Sequence, residues 1–168
     1  MPLFQPKAIF EGVHKITSEY LHEHGITALI LDVDNTLTGH GSQQLSEEVA
    51  QWIIRMKQQG FQLMIASNNF EKRVAPFAKR IDVPHLSFCC KPFPFGLAKV
   101  CKKIGVSKKQ IALVGDQIFT DTLGANLYGI SAFLVQPVAQ DKNWMVQLKR
   151  VLEKPILDQY YQKGGKLY

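Results

Sequence analysis

The run Ala28-Leu29-Ile30-Leu31 passes without a break into Asp32-Val33-Asp34-Asn35-Thr36, and this junction constrains the fold more than any other stretch. An apolar run with no alternation, bounded by turn residues, suits a strand buried on both faces, the habit of parallel sheets. Ligands bind such sheets just beyond the carboxyl ends of the strands. Asp32 and Asp34 would then share a mouth, where two carboxylates repel unless a cation or a proton lies between them. Read alone, the pair fits equally well an Asx-rich turn whose carboxylates cap backbone amides.

The pattern repeats along the chain. Residues 1–25 read as a helical lead-in, with short helices around Ala8–Val13 and Ile16–His24 and Gly25 as the stop. The first strand is Ile26–Val33, followed by a loop over 35–44 that holds Gly39-His40-Gly41. Ser46-Glu47-Glu48 opens a helix through Gln59, with Val49, Trp52, Ile53 and Met56 on one face and Gly60 as its cap. Phe61–Ala66 is the second strand, ending at Ser67-Asn68-Asn69. The helix from Glu71 to Arg80 contains Pro76, which fits either its first turn or a kink. His85–Cys89 reads as a third strand, Phe95–Ile104 as a helix and Ile111–Val114 as the fourth strand. A helix over Thr120–Tyr128 with Gly129 as its cap, a fifth strand Ile130–Val135 and a helix over Trp144–Leu152 complete the core at 26–153. The tail, 154–168 with Gly164-Gly165, is expected to fray. Strands alternating with helices at short intervals make a parallel sheet covered on both faces, in a single α/β domain over 1–168.

The 168 residues are enough for a real core, and 46% hydrophobic with 20% charged residues is a globular composition. No run approaches the roughly 20 apolar residues that span a bilayer, and the start lacks a signal-peptide core, so the expectation is a cytoplasmic protein. Cys89, Cys90 and Cys101 form no CxxC pair and read as buried thiols. The five histidines show no zinc spacing. A net charge of +6 is compatible with nucleotides, nucleic acid or an anionic membrane surface. The bases, Lys142 among them, are spread over outer helix faces, and aromatics are not interleaved with them, so there is no specific nucleic-acid signal.

Four strand ends carry the residues that matter. They are Asp32 with Asp34, then Ser67 with Asn68 and Asn69, then Lys91 in Cys90-Lys91-Pro92, then Asp116 in Gly115-Asp116-Gln117-Ile118-Phe119-Thr120-Asp121. In a parallel sheet these ends share one edge and so converge. Each has an ordinary structural role available: a strand-end Ser caps or turns, a lone Lys is solvated, and Asp116 and Asp121 can cap the helix that follows. Together they fit phosphoryl transfer. Asp32 and Asp116 offer the oxygen ligands that Mg²⁺ requires, and the ion would relieve the repulsion between carboxylate and phosphate. Asp32 can attack phosphorus to give an aspartyl-phosphate. Asp34 can protonate the leaving oxygen and then deprotonate water, while Ser67 and Lys91 hold phosphoryl oxygens.

These residues, over about 26–136 and in this order, resemble the four motifs of the haloacid dehalogenase (HAD) superfamily. The fourth motif and the short chain look most like subfamily IIIA and its YqeG-like members. The resemblance implies a Rossmann-like core with a small flap after the first strand, Asp32 as nucleophile and Asp34 as acid/base. It also implies Mg²⁺ held by Asp32, the carbonyl of Asp34, Asp116 and, directly or through water, Asp121. Asn35, Thr36, Ser67, Asn68 and Lys91 would be substrate-binding. Eukaryotic relatives in the subfamily dephosphorylate phosphatidylglycerophosphate, which makes that lipid a candidate.

The gaps from Asp34 to Ser67 and from Ser67 to Lys91 are too short for a separate cap, since domains below about 40 residues rarely fold unaided. The site is therefore expected to be open, with Gly39-His40-Gly41 as a lip, and to suit a bulky phosphomonoester: a protein phosphoresidue, a nucleotide or nucleic-acid end, or a lipid phosphate with peripheral contact to an anionic membrane. Phe93 and Phe95 are read as packing the next helix start rather than as an apolar rim. Two other classes remain open. A phosphoacceptor receiver domain also gathers acids, a Ser/Thr and a Lys at strand ends, but has no use for Asp34. A catalytically silent scaffold would keep the fold alone.

Overall fold

The computed structural model describes residues 3–140 and 144–168; Lys142, counted above among the scattered bases, lies outside them. Six parallel strands form one sheet: β1 (Ala8–Phe10), β2 (Ala28–Leu31), β3 (Gln62–Ala66), β4 (His85–Leu86), β5 (Ile111–Gly115) and β6 (Ser131–Val135). Their order is β1-β6-β5-β2-β3-β4. The helices are α1 (Ser18–Glu23), α2 (Glu47–Gln58), α3 (Glu71–Arg80), α4 (Pro94–Ile104), α5 (Leu123–Tyr128) and α6 (Trp144–Gln162). The Rossmann-like α/β sandwich expected from the strand–helix alternation is the fold observed.

The apolar runs lack alternation because both sheet faces are buried. In β2, Leu29 and Leu31 pack with Trp52 and Met56 of α2 and Val74 and Phe77 of α3. Ala28 and Ile30 pack on the opposite side with Leu97 and Val100 of α4 and Ala125 of α5. α2 starts where the Ser46 side chain accepts from the Val49 N–H, with Glu47 and Glu48 in the first turn and Arg55 and Lys57 in the last. That charge order matches the helix dipole. Its Trp52 indole donates to the Ile16 carbonyl at 2.7 Å, fixing α2 against the segment before β2. Pro76 lies inside α3, past the first turn.

Three expectations need correction. Ala8–Phe10 is not helical: it is the edge strand β1, with Ala8, Ile9 and Phe10 in register with Phe133, Leu134 and Val135. Three fully buried residues are too few to show any period. The C-terminal tail does not fray. α6 continues through Pro155 to Gln162, and Ile156, Leu157 and Tyr160 pack on Ile9, Ile118 and Leu134. Leu167 then bridges to Ile9, and the Tyr168 N–H donates to the Ile9 carbonyl. Finally, Cys90 is exposed, whereas Cys89 and Cys101 are buried; all three are free thiols.

Candidate active site

Each strand of the central trio delivers one polar group to the carboxyl edge of the sheet. Asp32 follows β2 directly, and its N–H still donates to the Val114 carbonyl of β5 at 2.9 Å, so its position is locked to the ladder. Asp116 follows β5 and is buried. Ser67 follows β3 and is buried, with its N–H donating to the Leu86 carbonyl of β4. Lys91 arrives from the loop after β4, between Cys90, at φ 58°, and the cis-linked Pro92. Left-handed backbone at a non-glycine residue costs roughly 1 kcal/mol, which the surroundings must hold in place.

The Lys91 ammonium sits 2.6 Å from Asp32 Oδ1 and 2.7 Å from Asp121 Oδ1. Burial works against its charge, but Asp121 and Asp32 hold its pKa far above the ordinary lysine value. Burial likewise pushes the Asp32 carboxyl well above the usual range; Lys91 opposes this, while Asp121 and Asp116 add to it. Asp32, Asp116 and Asp121 are all buried and offer ligand oxygens that lie within 4.8 Å of one another. Three hard donors crowded with like charge in a dry setting suit a hard divalent cation.

Asp121 reaches this cluster from a wide helical turn, Ile118–Thr122, ahead of α5. Gly115 makes the approach possible, because a Cβ there would lie 2.2 Å from Asp121 Cγ. The turn is a departure from the regular helix expected from Thr120. Asp121 Oδ2 also accepts from the Gln117 N–H at 3.2 Å, which orients the carboxylate.

Asp34 is held as a carboxylate. Its Oδ1 accepts from the Gly41 N–H at 2.8 Å and from Arg73 at 2.9 Å, and its Oδ2 accepts from Asn69 at 3.2 Å. Burial works to raise its pKa, but the Gly41 amide, Arg73 and Asn69 outweigh that and leave it below the ordinary value. Arg73 also donates to the Ser42 carbonyl at 2.7 Å, so α3 and the flap close on Asp34 together.

The remaining expected binding residues divide. Ser67, Asn68 and Lys91 line a cleft of about 360 Å³ with Asp32, Asp34 and Asp121. Asn68 uses its amide on the Lys91 backbone, donating to the carbonyl at 2.8 Å and accepting from the N–H at 2.6 Å, so it positions the lysine. Asn35 and Thr36 are buried and do not line the cleft. Asn35, at φ 60°, forms the turn directly after Asp34, and Thr36 Oγ1 donates to Asp116 Oδ1 at 3.2 Å. Exposed His40 of the flap does line the cleft. Phe93 and Phe95 do not pack the start of α4; they are 63% and 75% exposed.

Sequence reasoning missed two elements. One is Arg73, which nothing in the sequence ties to the site. The other is α6, which makes the site less open than the short gaps implied: Met145, Val146 and Lys149 form one wall of the cleft. Next to Lys149, Arg150 grips both the carbonyl and the carboxylate of Asp116, and Glu153, three residues further, accepts from the Ile118 N–H at 2.7 Å. A basic residue on an amphipathic helix looks solvated in sequence; only the spacing of Arg150 and Glu153, three apart on the helix, hinted at a pair.

A family model described as haloacid dehalogenase-like hydrolase matches residues 14–129. The chain is 30% identical to "Probable phosphatase YqeG" of Bacillus subtilis (strain 168) over 161 residues, 96% of this chain and 94% of that one. It is 26% identical to the chloroplastic/mitochondrial phosphatidylglycerophosphate phosphatase 1 of Arabidopsis thaliana, covering 96% of this chain and 49% of that protein. Among solved structures, the deoxy-D-mannose-octulosonate 8-phosphate phosphatase of Haemophilus influenzae superposes with a TM-score of 0.57 at 18% identity, covering 75% of each chain. The D,D-heptose 1,7-bisphosphate phosphatase of B. bronchiseptica, solved with magnesium and phosphate, gives 0.56 at 18% identity, over 67% of this chain and 82% of that one. With its site geometry at the four strand ends and a near full-length relative, the chain belongs to the haloacid dehalogenase-like hydrolases, alongside the YqeG-type phosphatases.

Proposed function

We propose that the protein is a Mg²⁺-dependent phosphomonoester hydrolase that works through an aspartyl-phosphate on Asp32. The observation that carries this reading is the junction of three buried carboxylates with one buried lysine at the strand ends. Asp32, Asp116 and Asp121 would hold the ion, together with the backbone carbonyl of Asp34. When bound, it offsets the repulsion between the Asp32 carboxylate and an incoming phosphate. Asp32 attacks phosphorus, the bond to the leaving oxygen breaks, and that oxygen takes a proton from Asp34. A water then attacks the phosphoenzyme, giving its proton to Asp34 and releasing Asp32 and inorganic phosphate. The grip of Arg73, Gly41 and Asn69 keeps Asp34 in the basic form that this second step needs. For the first step Asp34 must carry a proton, and so must loosen that grip. Ser67 and Lys91 bind the phosphoryl oxygens.

For the substrate, the reading extends to a lipid phosphate, with phosphatidylglycerophosphate foremost, met at a membrane surface from the cytoplasmic side. The name of the Arabidopsis relative supports this. So do four exposed rings at the site edge of the sheet, Phe70, Phe88 and Phe93 before helix starts or in loops and Phe95 in the first turn of α4. Exposed phenylalanine rings can bury at the headgroup–acyl boundary of a bilayer. Among the described residues, no helix is long and apolar enough to cross one.

The test is a panel of lipid phosphates, sugar phosphates, nucleotides and phosphopeptides, assayed for released phosphate with and without Mg²⁺. Asp32→Asn is expected to lose about 10⁴-fold or more of the rate. Equal rates for the two proteins would remove Asp32 as nucleophile. A phosphorylated protein that persists for many minutes without turnover would support a receiver domain. Preference for a sugar phosphate over the lipid would remove the membrane part of the reading.

A further inference from the structure

We propose that α6 supplies a second anion subsite, with Lys149 as its cation, so that the enzyme selects phosphomonoesters bearing a further negatively charged group. The inference rests on the phosphatase reading and deepens it.

The match to the hydrolase family ends at residue 129, yet α6 begins at Trp144 and forms a wall of the cleft. Its rotation is fixed by the clasp already described. Glu153 is 3% exposed and receives both the Ile118 N–H at 2.7 Å and Arg150 at 3.1 Å, while Arg150 reaches Asp116. Met145 and Lys149 are one turn apart, so a helix clamped at 150 and 153 presents both to the cleft as one stripe.

The other cations at the site are already neutralised. Lys91 faces Asp32 and Asp121, Arg73 faces Asp34, and Arg150 faces Asp116 and Glu153. Lys149 is half-buried and forms no ion pair among the described residues. A partly desolvated cation with no acid beside it attracts an anion more strongly than one in open water. The cleft, at about 360 Å³, is within the roughly 300–1,000 Å³ of small-molecule sites, and exceeds what a phosphoryl group alone fills. A substrate with a phosphodiester or second phosphate beside the reacting one would place its extra charge against this wall.

The experiment measures kcat/KM for three probes: an aryl phosphate with no second anion, a soluble sugar bisphosphate, and a short-chain phosphatidylglycerophosphate. Wild type is compared with Lys149→Gln, Lys149→Arg and, as a surface-charge control, the exposed Lys99→Gln. In Lys149→Gln the ratio of kcat/KM for a doubly charged probe over the aryl phosphate falls about tenfold, through KM rather than kcat. Lys149→Arg restores most of the ratio, Lys99→Gln keeps it, and added salt lowers it in wild type but not in Lys149→Gln. A fall for the lipid alone identifies a phosphodiester as the second anion, and a fall for the bisphosphate alone identifies a soluble substrate. A ratio equal in wild type and Lys149→Gln overturns the subsite while leaving the phosphatase reading intact. A wild type that hydrolyses none of the three probes overturns both.

Discussion

Replacing Lys91 by Met tests the electrostatic logic of the site in a quantity independent of turnover. The ammonium is 1% exposed and lies 2.6 and 2.7 Å from two carboxylates. At an effective dielectric constant of about 20, each contact is worth ~6 kcal/mol of attraction before desolvation is subtracted. Removing one partner of a buried ion pair typically costs about 3–5 kcal/mol, because the other charge is left uncompensated. For a urea slope of ~2 kcal/mol per molar, the unfolding midpoint measured in chelator should drop by roughly 1.5–2.5 M. Adding Asp121→Asn to Lys91→Met removes one stranded charge, so the double variant should be more stable than Lys91→Met alone. The reasoning fails if Lys91→Met costs less than about 1 kcal/mol, or if Asp121→Asn destabilises it further.

Gly115→Ala should lower activity at least about tenfold while costing about 1–3 kcal/mol of stability, since the added methyl group displaces Asp121; activity at the wild-type level would show that Asp121 is not needed where it stands. Ile30→Ala, in the middle of β2 and fully buried, should cost about 2–5 kcal/mol by calorimetry, and a cost below 1 kcal/mol would contradict the two-faced core. Burial, helped by Tyr168, Tyr160 and Glu23, pushes the Tyr20 hydroxyl up to about 12. A folded pKa above the unfolded one means that this contribution is complete below about pH 10 and is lost as pH climbs through 12. Tyr20→Phe should therefore flatten the alkaline fall in stability over that window, and an unchanged profile would refute the assignment.

The strand-end residues were legible because a parallel sheet converts sequence order into spatial order: once 26–33, 61–66 and 111–114 read as buried strands, Asp32, Ser67 and Asp116 had to share an edge. Asp121 was legible only through its resemblance to a motif, since the wide turn that aims it depends on the bare Cα of Gly115. Arg73, Arg150 and Glu153 were not legible. A charge on a helix carries the same local signature whether it faces water or, like Arg73 and Arg150, a carboxylate 39 or 34 residues away. β1 was hidden for the opposite reason: Ala8-Ile9-Phe10 is stabilised by β6, more than a hundred residues distant, and has no pattern of its own.

The salt bridges and hydrogen bonds of the site, taken as a charge inventory, say something about order of binding. Asp32, Asp34, Asp116, Asp121 and Glu153 supply five carboxylates, and Lys91, Arg73 and Arg150 supply three cations. With every group ionised, the assembly is two positive charges short of electroneutrality, the charge of one divalent ion. A dianionic phosphate would meet paired groups with a net negative charge in the absence of that ion and balanced ones in its presence, with Lys149 on the cleft wall as the one cation among the described lining residues outside this inventory. Affinity for ion and for phosphate must therefore rise together, each strengthening the other by the same factor, as linkage between two sites requires.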